Sequence, residues 1–337
     1  MNFQQLRTIL DLTRNRYSVT EVAHLSRITQ PGVSRQIRDL EGELGVAIFE
    51  RDGKRITGLS EPGKAIVKIV DRLMIEADQL RRAGTDFGVT AAEEIAIAAS
   101  HTQARYALPQ VVQGFRERYP NVRITLQQST PEYIVRWLLS GVADIGIASD
   151  RLNAIPELVT FPAYRWQHQI LVPDGHPLLD LPAPALADLA RYPLITYDRG
   201  FTRRCGIDPA FEQAGLRMNV ALTSMDSDVI KQYVSLGMGV GLIASMAHDS
   251  ERDAGLQVID SAHLFEANTT WITVRRGAYL RASTYEFILR FAPHLTRQQI
   301  DRAINAEWQP DSVPKVPNLP LQGTAPSRRR TMINPHS

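Results

Sequence analysis

The strongest constraint on this chain is a change of period partway along it. Through about Arg82 the apolar residues recur at helical intervals; from Glu93 short apolar runs alternate with amphipathic segments. The first pattern builds helices and the second builds strands joined by helices, because side chains return to one face at different intervals in the two conformations. One layer cannot satisfy both patterns. Two or more domains are therefore expected, which the 337-residue length also allows.

In the first part, Phe3, Leu6, Ile9 and Leu10 are spaced for one helix. Ser18 or Thr20 can cap a second that buries Val22, Ala23 and Leu25. A third opens at Thr29, with Pro31 in the first turn where a missing N–H costs nothing, and turns Val33, Ile37, Leu40 and Leu44 inward. It stops at Gly45. Ile48 to Leu59 then reads as a hairpin around Asp52-Gly53, flanked by Arg51, Lys54 and Arg55. These are the parts of a helix-turn-helix with a wing, whose last helix fits the major groove. Its outer face carries Gln30, Ser34, Arg35 and Arg38. Arg pairs with guanine, Gln with adenine and Ser with either base or phosphate, while cations on a wing meet the backbone. On these residues alone, a solvated amphipathic helix followed by a charged turn stays open as the other reading. From Ser60 to about Arg82, Ile66, Ile69, Val70, Leu73, Ala77 and Leu80 form a stripe suited to a connector, a dimer contact, or both.

In the second part, strands are expected at Glu93–Ala98, Val122–Gln128, Asp144–Ala148, His168–Val172, Leu194–Tyr197, Val220–Thr223, Val240–Ala244, Leu256–Ile259 and Thr270–Val274, with helices between them. Such alternation implies α/β units with mainly parallel sheets. Ala99-Ser100-His101-Thr102-Gln103 follows the first of these strands. Hydroxyls, an amide and unpaired backbone N–H groups at a strand-to-helix junction can hold an anion, at the edge where α/β sheets take ligands. Capping by Ser100 or Thr102 is the alternative use. Ser149, and Thr202 beside Arg203 and Arg204, lie at comparable strand ends and either close on the same pocket or form ordinary polar loops. Gly237 to Gly241 follows a helix and leads into a strand, the reverse of a dinucleotide loop. No nucleophile–base–orienter set and no metal-ligand spacing stands out, so neither enzyme chemistry nor a metal or cofactor is expected.

A net charge of +2 requires any basic footprint to be local. Cys205 is the one cysteine, which fits a reducing compartment. The opening lacks a basic start followed by an apolar run, and no apolar stretch reaches a membrane span of ~18 residues. A soluble cytoplasmic protein without a membrane partner is expected. From Asp311 the chain turns proline-rich, with the basic run Arg328-Arg329-Arg330, and is expected to be disordered.

Residues 1 to about 60 resemble the DNA-binding domain of the LysR-type transcriptional regulators. The resemblance lies in Asn2-Phe3-Gln4-Gln5-Leu6, Ser18-Val19-Thr20-Glu21-Val22-Ala23, Thr29 to Glu41, Leu44-Gly45, Phe49-Glu50-Arg51, Thr57 and Gly63. It implies that Gln30, Pro31, Ser34 and Arg35 face base edges and that Arg51 and Arg55 face the backbone. It also implies pairing of two subunits through the long helix, and dimers assembling into tetramers. Further on, Thr102 to Pro109, Tyr164 to His168, His176-Pro177-Leu178 and Asp198 to Thr202 are similar to the CysB-like branch, regulators of sulfur assimilation and cysteine biosynthesis. That likeness implies an effector pocket between two lobes, using Ser100, Thr102, Gln103, Ser149 and Thr202; by its position among them His101 is a further candidate for effector binding, with a structural role as its other reading. The pocket's ligands would be small anions: acetylserine, sulfate, thiosulfate or a related sulfur metabolite. Ser100 and Ser149 stand where the branch carries threonine, which leaves use of sulfonates or other sulfur sources open.

The expected architecture is an all-α winged helix-turn-helix domain (1–59), a linker and dimerisation helix (60–88), and a two-lobed α/β effector domain of periplasmic-binding-protein type (89–310). The resemblance implies lobe I at about 89–164 and 268–310 and lobe II at about 165–267, and a disordered tail is expected at 311–337. Promoter duplex DNA, a small anionic effector, a second copy of the chain and RNA polymerase are the expected partners. A free-standing solute-binding protein for small anions is the rival class.

Overall fold

The computed structural model describes residues 1–53, 55–86, 93–149, 152, 155–198, 206–305 and 316–319 of a chain in two units, Met1–Ala91 and Ala92–Ser337. In the first unit, α1 (Phe3–Arg14) opens on a reciprocal cap between Asn2 and Gln5. Ser18 caps α2 (Val19–Leu25), and Thr29 caps α3 (Gln30–Leu44) by accepting from the Gly32 N–H at 3.3 Å. Leu6, Ile9, Leu10, Val22, Ala23, Val33, Ile37 and Leu40 form one core. Leu25 and Leu44, expected inside, are 58% and 40% exposed. Two residues beyond Ala23 a helix has turned through about 200°, which carries Leu25 to the far side. Leu44 lies in the last turn before Gly45, whose φ of +71° ends the helix.

Strands β1 (Phe49–Asp52) and β2 (Arg55–Leu59) pair antiparallel as the wing. Helix α4 (Glu61–Asp86) follows, capped by Ser60, which accepts from Gly63 N–H at 3.0 Å. A Cβ on Gly63 would lie 1.9 Å from the Ile48 carbonyl oxygen, so only glycine lets the helix start this close to the strand. Val70 and Met74 join the core of α1–α3, making α4 a wall of this unit as well as a connector.

In the second unit, β3 (Glu94–Ala99), α5 (Leu108–Arg118), β4 (Arg123–Gln128), α6 (Pro131–Leu139), β5 (Ile145–Ala148) and β6 (Leu158–Trp166) begin one lobe. The chain then runs through β7 (His168–Pro173), α7 (Leu186–Leu189), β8 (Leu194–Tyr197), α8 (Ile207–Gln213), β9 (Val220–Ser224), α9 (Ser227–Ser235), β10 (Val240–Ala244) and β11 (Leu256–Asp260), the second lobe. It returns with β12 (Asn268–Arg275), α10 (Ala282–Phe291) and α11 (Arg297–Ile304). The sheets run β4-β3-β5-β12-β6 and β11-β7-β10-β8-β9.

Both sheets are mixed, which corrects the expectation of mainly parallel sheets. β3 lies parallel to β4 and β5, while β12 is antiparallel to β5 and β6. β8 lies parallel to β9 and β10, while β7 is antiparallel to β10 and β11. Helical crossovers create the parallel pairs. β6 and β12 instead carry the chain out of the first lobe and back into it. β6 is absent from the strands expected above; it carries Pro162, and the structure places it at the sheet edge, with a register shift beside that proline.

Residues 316–319 belong to the stretch expected to be disordered, yet they lie along the outer edge of β6. Arg165 N–H donates to the Pro317 carbonyl and Leu319 N–H to the Arg165 carbonyl, each at 2.8 Å, and Leu319 packs on the first-lobe core. Among the described residues no helix is long and apolar enough to cross a membrane, and no His, Cys, Asp or Glu group is arranged to hold a metal.

Candidate DNA-binding surface and effector cleft

With Val33, Ile37 and Leu40 buried, α3 leaves Gln30, Pro31, Arg35 and Arg38 exposed and Ser34 half-buried. Arg35 is paired with Asp39 at 3.7 Å, one turn along, and Arg38 Nε donates to the Ser34 carbonyl at 3.3 Å. An exposed pair of this kind is weak, so the guanidinium can be exchanged to another partner at small cost. On the wing, Arg55 is exposed and Lys54 lies outside the described residues. Arg51 is engaged: its guanidinium donates to Glu41 Oε2 at 2.7 Å. Glu41 Oε1 also accepts the backbone N–H groups of Ile48 and Phe49, at 2.8 and 3.2 Å. One carboxylate of α3 thus braces the wing. Sequence reasoning missed this role of Glu41.

In the second unit, Ser100 and Ser149 stand just beyond the carboxyl ends of the parallel strands β3 and β5. Ser100 is buried, its N–H bonded to the Ile147 carbonyl at 3.0 Å. Gln103–Ala107 forms a π-helical turn leading into α5, the Leu108 N–H reaching back to the Gln103 carbonyl. Such widened turns often mark functional positions.

Gln103, expected to touch the effector, is turned into the wall. It is fully buried; its Nε2 donates to Thr270 at 3.0 Å and reaches Ser149 Oγ at 3.5 Å, and its Oε1 accepts from the Tyr164 hydroxyl. Its amide is thus engaged on both sides within the wall. Thr102 sits half-buried beside Tyr197 of the second lobe. Burial pushes the Tyr197 hydroxyl pKa up, opposed by hydrogen bonds from Ser227, the Ala244 backbone and Thr102. His101 lies 3.6 Å from Asp226 of the second lobe through Nε2, and its Nδ1 is buried without a hydrogen-bond partner. Thr202, with Arg203, Arg204 and Cys205, lies outside the described residues. Strand ends of the two lobes are therefore in contact, through His101 with Asp226 and Thr102 with Tyr197.

Two family models cover most of the chain: "Bacterial regulatory helix-turn-helix protein, lysR family" over residues 3–64, and "LysR substrate binding domain" over residues 90–296. The chain belongs to the LysR family of transcriptional regulators. It is 49% identical to the transcriptional regulator SsuR of Burkholderia cenocepacia, covering 89% of this chain and 97% of that protein. It is 41% identical to the transcriptional regulator CysB of the same organism, covering 91% and 98%. The cofactor-binding domain of the Cbl transcriptional regulator has a solved structure that matches 64% of this chain and 97% of its own, at 43% identity and a TM-score of 0.61.

A helix-turn-helix on the same chain as the substrate-binding domain sets aside the free-standing solute-binding protein. Sequence reasoning did not single out the second-lobe side of the cleft. There Asp226 and Asp228 contact His101, Arg105 and Tyr106, and the buried Tyr197, bonded to Ser227, lies beside Thr102; the run Ser224-Met225-Asp226-Ser227-Asp228 at the end of β9 repeats the strand-then-polar-turn pattern that flagged Ser100–Gln103.

Proposed function

We propose that this LysR regulator controls genes for sulfur assimilation and cysteine biosynthesis, and that a small anionic sulfur metabolite bound in the cleft sets its activity. Acetylserine, sulfate and thiosulfate are the candidate effectors. The observation that carries this reading is the convergence of Ser100, Thr102 and Ser149 at the carboxyl ends of β3 and β5, beside a wall whose amide is already bonded. Neutral hydroxyl and backbone donors in a partly desolvated cleft bind an anion without a cationic partner. On the DNA side, Gln30, Pro31, Ser34 and Arg35 read bases, while Arg38, Arg51, Lys54 and Arg55 serve the phosphates. Ile69, Leu73 and Leu80 stay exposed on α4, which supports a homodimer that assembles into a tetramer. RNA polymerase and a cytoplasmic location complete the proposal.

Calorimetry of the full chain with acetylserine, sulfate, thiosulfate and sulfonates tests the ligand class. Tight binding of a sulfonate with none of the other three moves the reading to sulfonate use, which the smaller serines at positions 100 and 149 would accommodate. Thr102→Ala abolishes effector response and spares basal DNA binding; an unchanged dose–response removes Thr102 from the site. Gel shifts on promoter fragments of sulfur-assimilation genes, repeated across salt concentrations, test the DNA partner, because each phosphate contact releases counterions and steepens the salt dependence.

A further inference from the structure

We propose that Asp228 is a positioning residue for the effector cleft, the second-lobe half of a latch that holds the lobes closed; this rests on the effector reading above. Asp228 stands in the first turn of α9. From the first lobe, the π-helical turn that continues Ser100–Gln103 delivers two donors to it. Arg105 Nε lies 3.0 Å from Oδ2, and the Tyr106 hydroxyl donates to Oδ1 at 2.7 Å. Lys231, one turn along α9, is 2.9 Å from the same carboxylate and 5.5 Å from the centre of the Tyr106 ring. Lys231 is itself buried, held by Asp253 and the Ala247 carbonyl at 2.9 Å each. A second contact joins the lobes beside Asp228, between His101, five residues before Tyr106, and Asp226, the N-cap residue of α9.

Arg105 and Asp228 alone would be a partly exposed ion pair of little consequence. The half-buried phenol and the buried ammonium change that, because hydrogen bonds to an ionised carboxylate strengthen as water is excluded. Burial opposes ionisation of Asp228, yet the donors and charges of Lys231, Tyr106 and Arg105 together hold its pKa below the usual carboxylate value. The turn bearing Arg105 and Tyr106 also bears Thr102 and Gln103 at its start. A ligand that orders this turn from the cleft side favours the latch, and by reciprocity the latch favours the ligand. Gln103 anchors the turn from the wall, so Arg105 and Tyr106 report the state of the cleft to α9.

The test uses the full chain with Cys205→Ser and spin labels on α5 and α9. Asp228→Asn keeps the shape of the side chain and removes its charge; Tyr106→Phe removes a single hydroxyl. Both variants lengthen the lobe-to-lobe distance in the absence of ligand. Both weaken inorganic sulfate binding in calorimetry, Tyr106→Phe by about tenfold for the loss of one charge-assisted hydrogen bond and Asp228→Asn by at least as much, because it also weakens the bonds to Arg105 and Lys231. The double variant is no weaker than Asp228→Asn, since both changes remove one shared interaction. Unchanged distances and sulfate affinity in a folded Tyr106→Phe protein overturn the latch, as do fully additive losses in the double variant. If the parent chain binds no sulfate, thiosulfate or acetylserine, the effector reading falls and the distances alone decide: a longer separation keeps the latch, an unchanged one removes it.

Discussion

Arg35 and Arg51 carry the same charge within one unit, and their surroundings give them different duties. Arg35 is 81% exposed at its side chain and paired with Asp39 through a contact that water or DNA can replace. Its replacement by alanine costs ~1–3 kcal/mol on cognate DNA and little on random duplex if it reads a base. Binding titrations on both sequences decide; equal losses would assign it to phosphate. Arg51 is held by a Glu41 carboxylate only 10% exposed, which also takes two backbone N–H groups of the wing. Glu41→Gln keeps the size but gives up charge-assisted bonds, and it destabilises the chain by roughly 1.5–3 kcal/mol in urea unfolding. DNA binding by the folded Glu41→Gln fraction should weaken as the wing loosens. Retained stability would show that the brace contributes nothing.

Helix α4 and strand β6 show how one residue sets the course of a whole element. Gly63 lets the first turn of α4 press against the Ile48 carbonyl, which directs Val70 and Met74 onto the helix-turn-helix core. Gly63→Ala must push helix and strand apart, because a 1.9 Å approach is far inside contact distance. A destabilisation of ~1–3 kcal/mol is expected, seen as a lower Tm with Val70 and Met74 less protected from exchange. A Tm within a degree of the parent's would refute the close approach. In β6, Pro162 cannot donate to a ladder, and the strand accommodates it by lying at the edge with a shifted register. That edge position leaves the outward N–H and carbonyl of Arg165 to the 316–319 segment.

At the scale of the whole molecule, the chain passes between lobes twice, once from β6 to β7 and once from β11 to β12, and the described end of the tail is fastened beside the first passage. Among the described residues, truncation after Asn305 removes the two backbone hydrogen bonds to Arg165 and the Leu319 contact. It should destabilise the second unit by ~1–3 kcal/mol in denaturant unfolding, while leaving α3 and the wing intact. It should also expose an unpaired strand edge, so faster aggregation of the truncated protein is expected in light scattering. Identical unfolding midpoints with and without the tail would show that the 316–319 pairing carries no stability. Saturating effector should shorten or shift the DNA footprint of the full chain, and an unchanged footprint and bend would remove coupled closure from the mechanism.

Local chemistry made much of this readable in advance. Caps at Ser18 and Thr29, Pro31 in a first turn, the stop at Gly45 and the period of Val33, Ile37 and Leu40 depend on neighbours within a few residues, so the sequence alone located α1–α3, the outward face of α3 and the hydroxyls beyond β3 and β5. What required the folded chain depends on residues far apart in sequence. The antiparallel return of β12 beside β6, Gln103 bonded to Thr270, Arg51 bonded to Glu41, Asp228 facing Arg105 and Tyr106, and Leu319 against the edge of β6 each join segments whose closeness no local pattern encodes. Periodicity records which face of an element is apolar, but not which distant element will cover it; that is decided when burial and hydrogen bonding are satisfied for the whole unit at once.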